Sequence, residues 1–144
     1  MRSLFQFFLW LGWVLMALAA VGQAADITEA DRVAIRTIIE RQLDAFRQDN
    51  AAAAFSFASP SIQAKFGTPE QFLQMVKTAY QPVYRPRRVV FQELRFMHGM
   101  PMQPVLIIDP EGIPVMAFYP MEKQPDGAWR IDGCYLRPFQ RQQL

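Results

Sequence analysis

Gln81-Pro82-Val83-Tyr84-Arg85-Pro86-Arg87, running on into Arg88-Val89-Val90-Phe91, decides the fold. Before this stretch apolar residues recur every three or four positions. After it they recur every two. A change of period from helical to pleated marks the boundary between two kinds of secondary structure. Pro82 and Pro86 bar a continuous helix, so residues 81–87 read as an extended linker.

Upstream, Thr68-Pro69-Glu70 is a helix start: a capping hydroxyl, proline at the first helical position, then an acid. Phe72, Leu73, Met75, Val76 and Tyr80 form the inward face of that helix, which ends before Pro82. Further back, Thr28-Glu29-Ala30-Asp31 opens a long helix, with Ile27 as a staple and Asp31 where a capping box prefers Glu. Ile35, Ile38, Ile39, Gln42, Leu43 and Phe46 make its apolar stripe, in which Gln42 is the polar member. Between these two lies a short helix from Ala51 to Ala58, closed by Ser59-Pro60, with a further turn over 61–66 before Gly67.

Downstream, Val89 and Phe91 alternate out of phase with Leu94 and Phe96, which predicts a β-bulge near Gln92-Glu93. Strands follow at 103–108, 113–123 and 128–136, separated by the turns Asp109-Pro110-Glu111-Gly112 and Pro125-Asp126-Gly127. Pro120 inside the third strand requires an edge or a bulge. The expectation is an α+β domain: three N-terminal helices packed on a curved, four-stranded antiparallel sheet.

The chain opens differently. Arg2 is the only charge before Asp26, and Leu4 to Val21 is apolar apart from Gln6 and a small glycine. Gly22-Gln23-Ala24 puts small side chains where a signal peptidase reads. Residues 1–24 therefore read as a secretory signal cut after Ala24, with residues 25–144 as a single exported domain, periplasmic or secreted. The other reading is an uncleaved anchor, since the apolar run is just long enough to span a bilayer. Losing Arg2 alone takes Lys plus Arg from 15 to 14 against 13 acids, a net charge of +1. So weak a field excludes a nucleic-acid footprint and, after cleavage, gives no membrane attachment. One cysteine, Cys134, makes no internal disulfide and reads as a small buried hydrophobe.

The element order, ending in Asp126-Gly127-Ala128-Trp129-Arg130-Ile131, resembles the nuclear-transport-factor-2-like (cystatin-like) cone fold shared by ketosteroid isomerases, scytalone dehydratase and SnoaL-like proteins. Ala54-Phe55-Ser56-Phe57-Ala58-Ser59-Pro60, Phe66-Gly67-Thr68-Pro69, Tyr80-Gln81-Pro82-Val83-Tyr84 and Trp129-Arg130-Ile131-Asp132-Gly133-Cys134 resemble, more narrowly, a small bacterial family known as a domain of unknown function. The resemblance implies a cone and an envelope address. It carries no catalytic residue, and no position matches the isomerase Asp and Tyr motif.

A cone implies a cavity, and the candidates to line it are the polar Gln42, Tyr80, Tyr84 and Tyr119 with Phe46, Phe57 and Phe118 as walls. An apolar pocket with a few polar groups is an ordinary ligand site. The leading expectation is a non-catalytic binding module for a small apolar molecule or a protein partner, with no cofactor. One alternative is a small isomerase or lyase. Another is Cu(I) binding by Met97, His98, Met100 and Met102, whose thioether and imidazole groups suit that ion. Arg85, Arg87, Arg88, Arg95, Arg137 and Arg141 read as a solvated face, with an anionic ligand as the alternative. Val105, Ile107, Val115, Met121 and Leu136 are expected on an open sheet face that pairs two copies.

Overall fold

The computed structural model describes residues 26–141; the expected signal at 1–24, with Trp10 and Trp13, lies outside the described residues. Five helical segments precede six strands: α1 (Glu29–Arg47), α2 (Ala51–Ser56), α3 (Pro60–Phe66), α4 (Pro69–Ala79), α5 (Gln81–Tyr84), then β1 (Arg88–Phe91), β2 (Arg95–Met97), β3 (Met100–Ile108), β4 (Pro114–Lys123), β5 (Trp129–Ile131) and β6 (Tyr135–Pro138). The fold is α+β, helices first, with a curled antiparallel sheet after them. No described helix is long and apolar enough to cross a membrane.

The three expected helices are five segments, and local chemistry explains both additions. Ser59-Pro60, read as a stop, is also a start: the Ser59 hydroxyl accepts from Ile62 N and proline occupies the first turn of α3. The expected linker begins with one helical turn, because Pro82 sits in the first turn of α5, where its missing N–H is no loss.

At the start of α1, Asp31 does the work of the longer Glu. Its Oδ2 accepts from Thr28 N at 3.0 Å, while Asp31 N donates to Thr28 Oγ1 at 3.1 Å. The other oxygen, Oδ1, accepts from Trp129 Nε1 at 3.0 Å and Lys123 Nζ at 3.3 Å. One side chain thus closes the helix end and ties it to β4 and β5. Ile35, Ile39, Leu43 and Phe46 from α1 meet Val105, Ile107, Tyr119, Met121 and Ile131 from the sheet in one core.

The four expected strands are six because two of them break. Phe91 faces Val105 and Arg95 faces Met102, so Gln92, Glu93 and Leu94 stand opposite only Gln103 and Pro104. This is the bulge that the phase change at Gln92-Glu93 predicts, and it divides the first strand into β1 and β2. Phe118 faces Tyr135 and Met121 faces Ile131, so Asp132, Gly133 and Cys134 stand opposite only Tyr119 and Pro120. The last strand, expected whole over 128–136, therefore breaks into β5 and β6. Pro120 lies at this break, where the missing N–H costs no ladder bond, and its carbonyl accepts from Asp132 N at 2.8 Å. Gln103 faces Tyr119 across β3 and β4, so both extra residues fall at one level of the sheet. Bulges sharpen the local twist, and two at one level bend the sheet around its helices.

Two expectations about faces are corrected. Val105, Ile107 and Met121, expected on an open face, are fully buried against the helices, and Leu136 packs on that core beside them. Val115, opposite Ile107, shares this inward parity. Alternation groups residues that share a face, but it is silent about which face the helices cover. Phe96, which shares the alternation of Leu94, is exposed at the end of the hairpin, while Leu94 is buried.

Candidate functional site

A cavity of about 440 Å³ opens between α1, α3, α4 and the bulge at Asp132–Cys134. Its walls are mostly apolar. Phe46, Phe66 and Phe72 contribute rings, with Phe72 at the centre of a tilted cluster 6.0 Å from Phe46 and 5.6 Å from Phe66. Helical spacing puts Phe72, Met75, Val76 and Ala79 of α4 toward this space. Lys65, Asp132 and Tyr135 also line it.

The extra residue in the β5–β6 bulge makes room on the sheet side. Gly133 has φ 149°, a backbone that side-chain-bearing residues avoid, and a Cβ there would meet Pro120 Cγ at 3.4 Å. The segment between α2 and α3 closes the free edge of β5: Ile131 N donates to Phe57 O and Ser59 N to Ile131 O, each at 2.8 Å. The fully buried Ser59 donates through Oγ to Asp132 Oδ1 at 2.6 Å, and Ser61 Oγ donates to the same oxygen at 3.1 Å. Asp132 is thereby fixed beside the cavity through Oδ1.

Of the residues singled out from the sequence, Gln42, Phe46, Tyr80 and Tyr119 line this one cavity. Phe57, Tyr84 and Phe118 do not. Phe57 caps α2 and packs at the side of the core. Tyr84 hydrogen-bonds through its hydroxyl to Asp49, which holds the phenol above its usual range, and the Arg85 guanidinium stacks on its ring at 3.9 Å. Arg85 also reaches Asp49 Oδ2 at 3.2 Å and the Phe46 carbonyl, so this arginine serves the fold rather than a free basic face. Phe118, between Pro104 and Tyr135, has the parity opposite to Ala117 and Tyr119 and lies on the sheet face away from the helices.

The polar groups of the cavity differ in how they are satisfied. Tyr80 Oη donates to the Cys134 carbonyl at 3.1 Å. Gln42, 4% exposed, donates from Nε2 to the Ala54 carbonyl at 3.1 Å. Tyr119 is fully buried and its hydroxyl makes no hydrogen bond of good geometry among the described residues. Burial pushes that phenol well above its ordinary value, so it is a neutral donor. The Cys134 thiol is its neighbour, a weak partner at best. Part of Cys134 is solvent-accessible, and burial of its thiol pushes the pKa up to about 12. An unpaired buried hydroxyl costs about 1–3 kcal/mol.

Asp132, Cys134, Phe66 and Phe72 are among the lining residues that sequence reasoning missed, as was Ser59, which holds Asp132. The signal for the first two was Gly133 itself, because an isolated glycine inside a strand pattern marks a bulge. Elsewhere, His98 (φ 51°) and Gly99 (φ 75°) form the tip of the β2–β3 hairpin, with Met97 facing Met100 across it. Met97 and Met100 are about half exposed, at 49% and 45%.

A family model described as "Domain of unknown function (DUF4864)" matches residues 28–144, and the chain belongs to that family. No curated protein matches the chain.

Proposed function

We propose that this member of the family binds a small, mostly apolar molecule in the cavity beside the β5–β6 bulge and does no chemistry on it. The observation that carries this reading is the cavity: aromatic walls, a volume of about 440 Å³, and a few fixed polar groups. Binding is favoured over isomerisation by the state of its one lining carboxylate. Asp132 is held in place by two serine hydroxyls on Oδ1, and no histidine lies among the lining residues to share a proton with it. The cone type of the fold, and export to the periplasm or beyond, belong to the same proposal. The order of elements and the two bulges support the first, and the Arg2–Ala24 pattern supports the second.

Native mass spectrometry of protein isolated from its own cell envelope tests the binding and the export. The expected result is a chain beginning at Ala25 that retains a small ligand. Ala79→Trp, which places a ring against an exposed lining position, abolishes retention while leaving the fold intact. Retention unchanged in this variant places the ligand elsewhere.

A second reading is Cu(I) binding at the hairpin. The register supports it: Met97 and Met100 face each other, and Met102 follows on the same side of the strand, opposite Arg95. Among the described residues no His, Cys, Asp and Glu cluster competes for the ion. Cu(I) titration against a chromophoric chelator tests it with a Met100→Leu, Met102→Leu double variant. Equal affinity in the variant removes the reading.

A further inference from the structure

The sheet has a second face, turned away from the helices. Val105, Ile107, Ala117 and Tyr119 point into the helical core, so their neighbours along β3 and β4 point the other way. Register lays these outward residues in rows. Val90, Leu106 and Met116 form one, and Phe118 forms the next with Tyr135 at its edge. None of the five belongs to the core, and all are at least partly exposed. The charges stand at the margins: Arg88 and Arg137 toward the β3–β4 turn, Arg95 toward the hairpin. These three arginines are exposed and have no ion-pair partner among the described residues. Glu122, the acid of the outward set, lies beyond the break at Pro120, opposite Arg130. We infer that this face seats a second copy of the chain, sheet against sheet about a two-fold axis.

The composition is that of a protein–protein contact. Methionine, aromatic residues and arginine are enriched at such contacts, and lysine is depleted. Here Met97, Met100, Met102 and Met116 stand with Phe118, and the cations of the outward set are all arginines. The area is sufficient. At about 3.4 Å per residue and 4.8 Å per strand, β1, β2, β3, β4 and β6 together span a plane of about 500 Å². Side chains standing off that plane raise the accessible area to about 600–800 Å² per copy, within the range that each partner buries in a stable interface. The occupant is a copy because the middle of the face, Leu106, Met116 and Phe118, holds no charge that a foreign partner must match. A flat apolar surface is complementary to itself, and a two-fold contact uses it up, so assembly stops at two. Aligned sheets cross at about 30°, which splays the corners and leaves the arginines of each copy in solvent.

Sedimentation equilibrium of the purified protein tests the pairing. The wild type is expected to be a dimer with a dissociation constant of about 1 µM or below. Leu106→Glu sets a carboxylate in the middle of the face, where pairing buries it, and weakens association at least about 100-fold. Met116→Lys does the same with the opposite charge. Both positions are outside the core, and a circular dichroism melt of each variant shows that it folds. Val33→Glu, at an exposed apolar position on α1, leaves the dimer intact. A wild type that stays monomeric at about 100 µM overturns the inference. So does a dimer that survives both sheet variants, or one that is lost with Val33→Glu. A monomer that sediments with anionic vesicles gives the face to a membrane and overturns the pairing equally. The cavity reading stands or falls separately, since neither Leu106 nor Met116 lines the cavity.

Discussion

The sheet carries two one-residue bulges at the same level, and they have opposite outcomes. At the β1–β2 bulge the protein fills its own gap. Gln103, 5% exposed, donates from Nε2 to the Gln92 carbonyl at 2.7 Å and to the Pro104 carbonyl at 2.9 Å, while Gln92 N donates back to Pro104 O at 3.0 Å. At the β5–β6 bulge the residue directly opposite Gln103 is Tyr119, and its hydroxyl has no such partner. The same backbone device therefore closes the sheet on one side and opens a cavity on the other. The side chain that faces the extra residue makes the difference: a glutamine long enough to reach two carbonyls, or a phenol held away from them.

The sharpest way to break the comparison is to remove the plug. Gln103→Ala removes a donor from the part-buried Gln92 carbonyl and empties a buried position, and about 2 kcal/mol of stability is lost in urea unfolding. Gly133→Ala acts on the open bulge instead. The strained φ of 149° costs about 1–2 kcal/mol, and ligand retention falls with it because the wall is displaced. A Gly133→Ala protein as stable as the wild type removes the backbone argument for this wall.

The third prediction concerns alkaline pH. Burial moves Cys134 from its ordinary 9.0 up to about 12. A raised pKa means the folded state holds the proton longer, so this contribution is complete below pH 9 and shrinks as pH rises toward 12. Stability falls there by at most about 1.4 kcal/mol per pH unit, and Cys134→Ala flattens that slope. Equal slopes for variant and wild type between pH 9 and 10 rule out a buried thiol. The smallest effect has the opposite sign. Tyr119→Phe relieves an orphaned hydroxyl and raises apo stability by about 0.5–1 kcal/mol, read as a higher urea midpoint. Loss of stability instead assigns the hydroxyl to the fold through Cys134.

The helical half was legible because its signals are local. Thr28, Thr68 and the apolar stripes lie within a few residues of what they control, and the observed α1 and α4 follow them. The first bulge was legible too, since a phase change in Val89, Phe91, Leu94 and Phe96 is visible along one strand. The second was not, because Trp129 to Leu136 keeps enough alternating apolar residues to pass for one strand, and the interruption appears only in its register with β4. Gln42, Phe46, Tyr80 and Tyr119 come together in the cavity from three elements, yet Phe118 and Tyr84 seemed equal candidates by type alone. Parity separates Phe118 from Tyr119, and the Asp49 contact claims Tyr84.

By itself the sequence determined the α+β order, the caps that start its helices, the first bulge and the membership of a family, because each depends on residues close together in the chain or on their linear pattern. Only the tertiary structure decided which sheet face is covered, that the last strand breaks at Gly133, and that Tyr119 is left without a partner. Those are outcomes of pairing between distant segments, where a shift of one residue exchanges inside for outside.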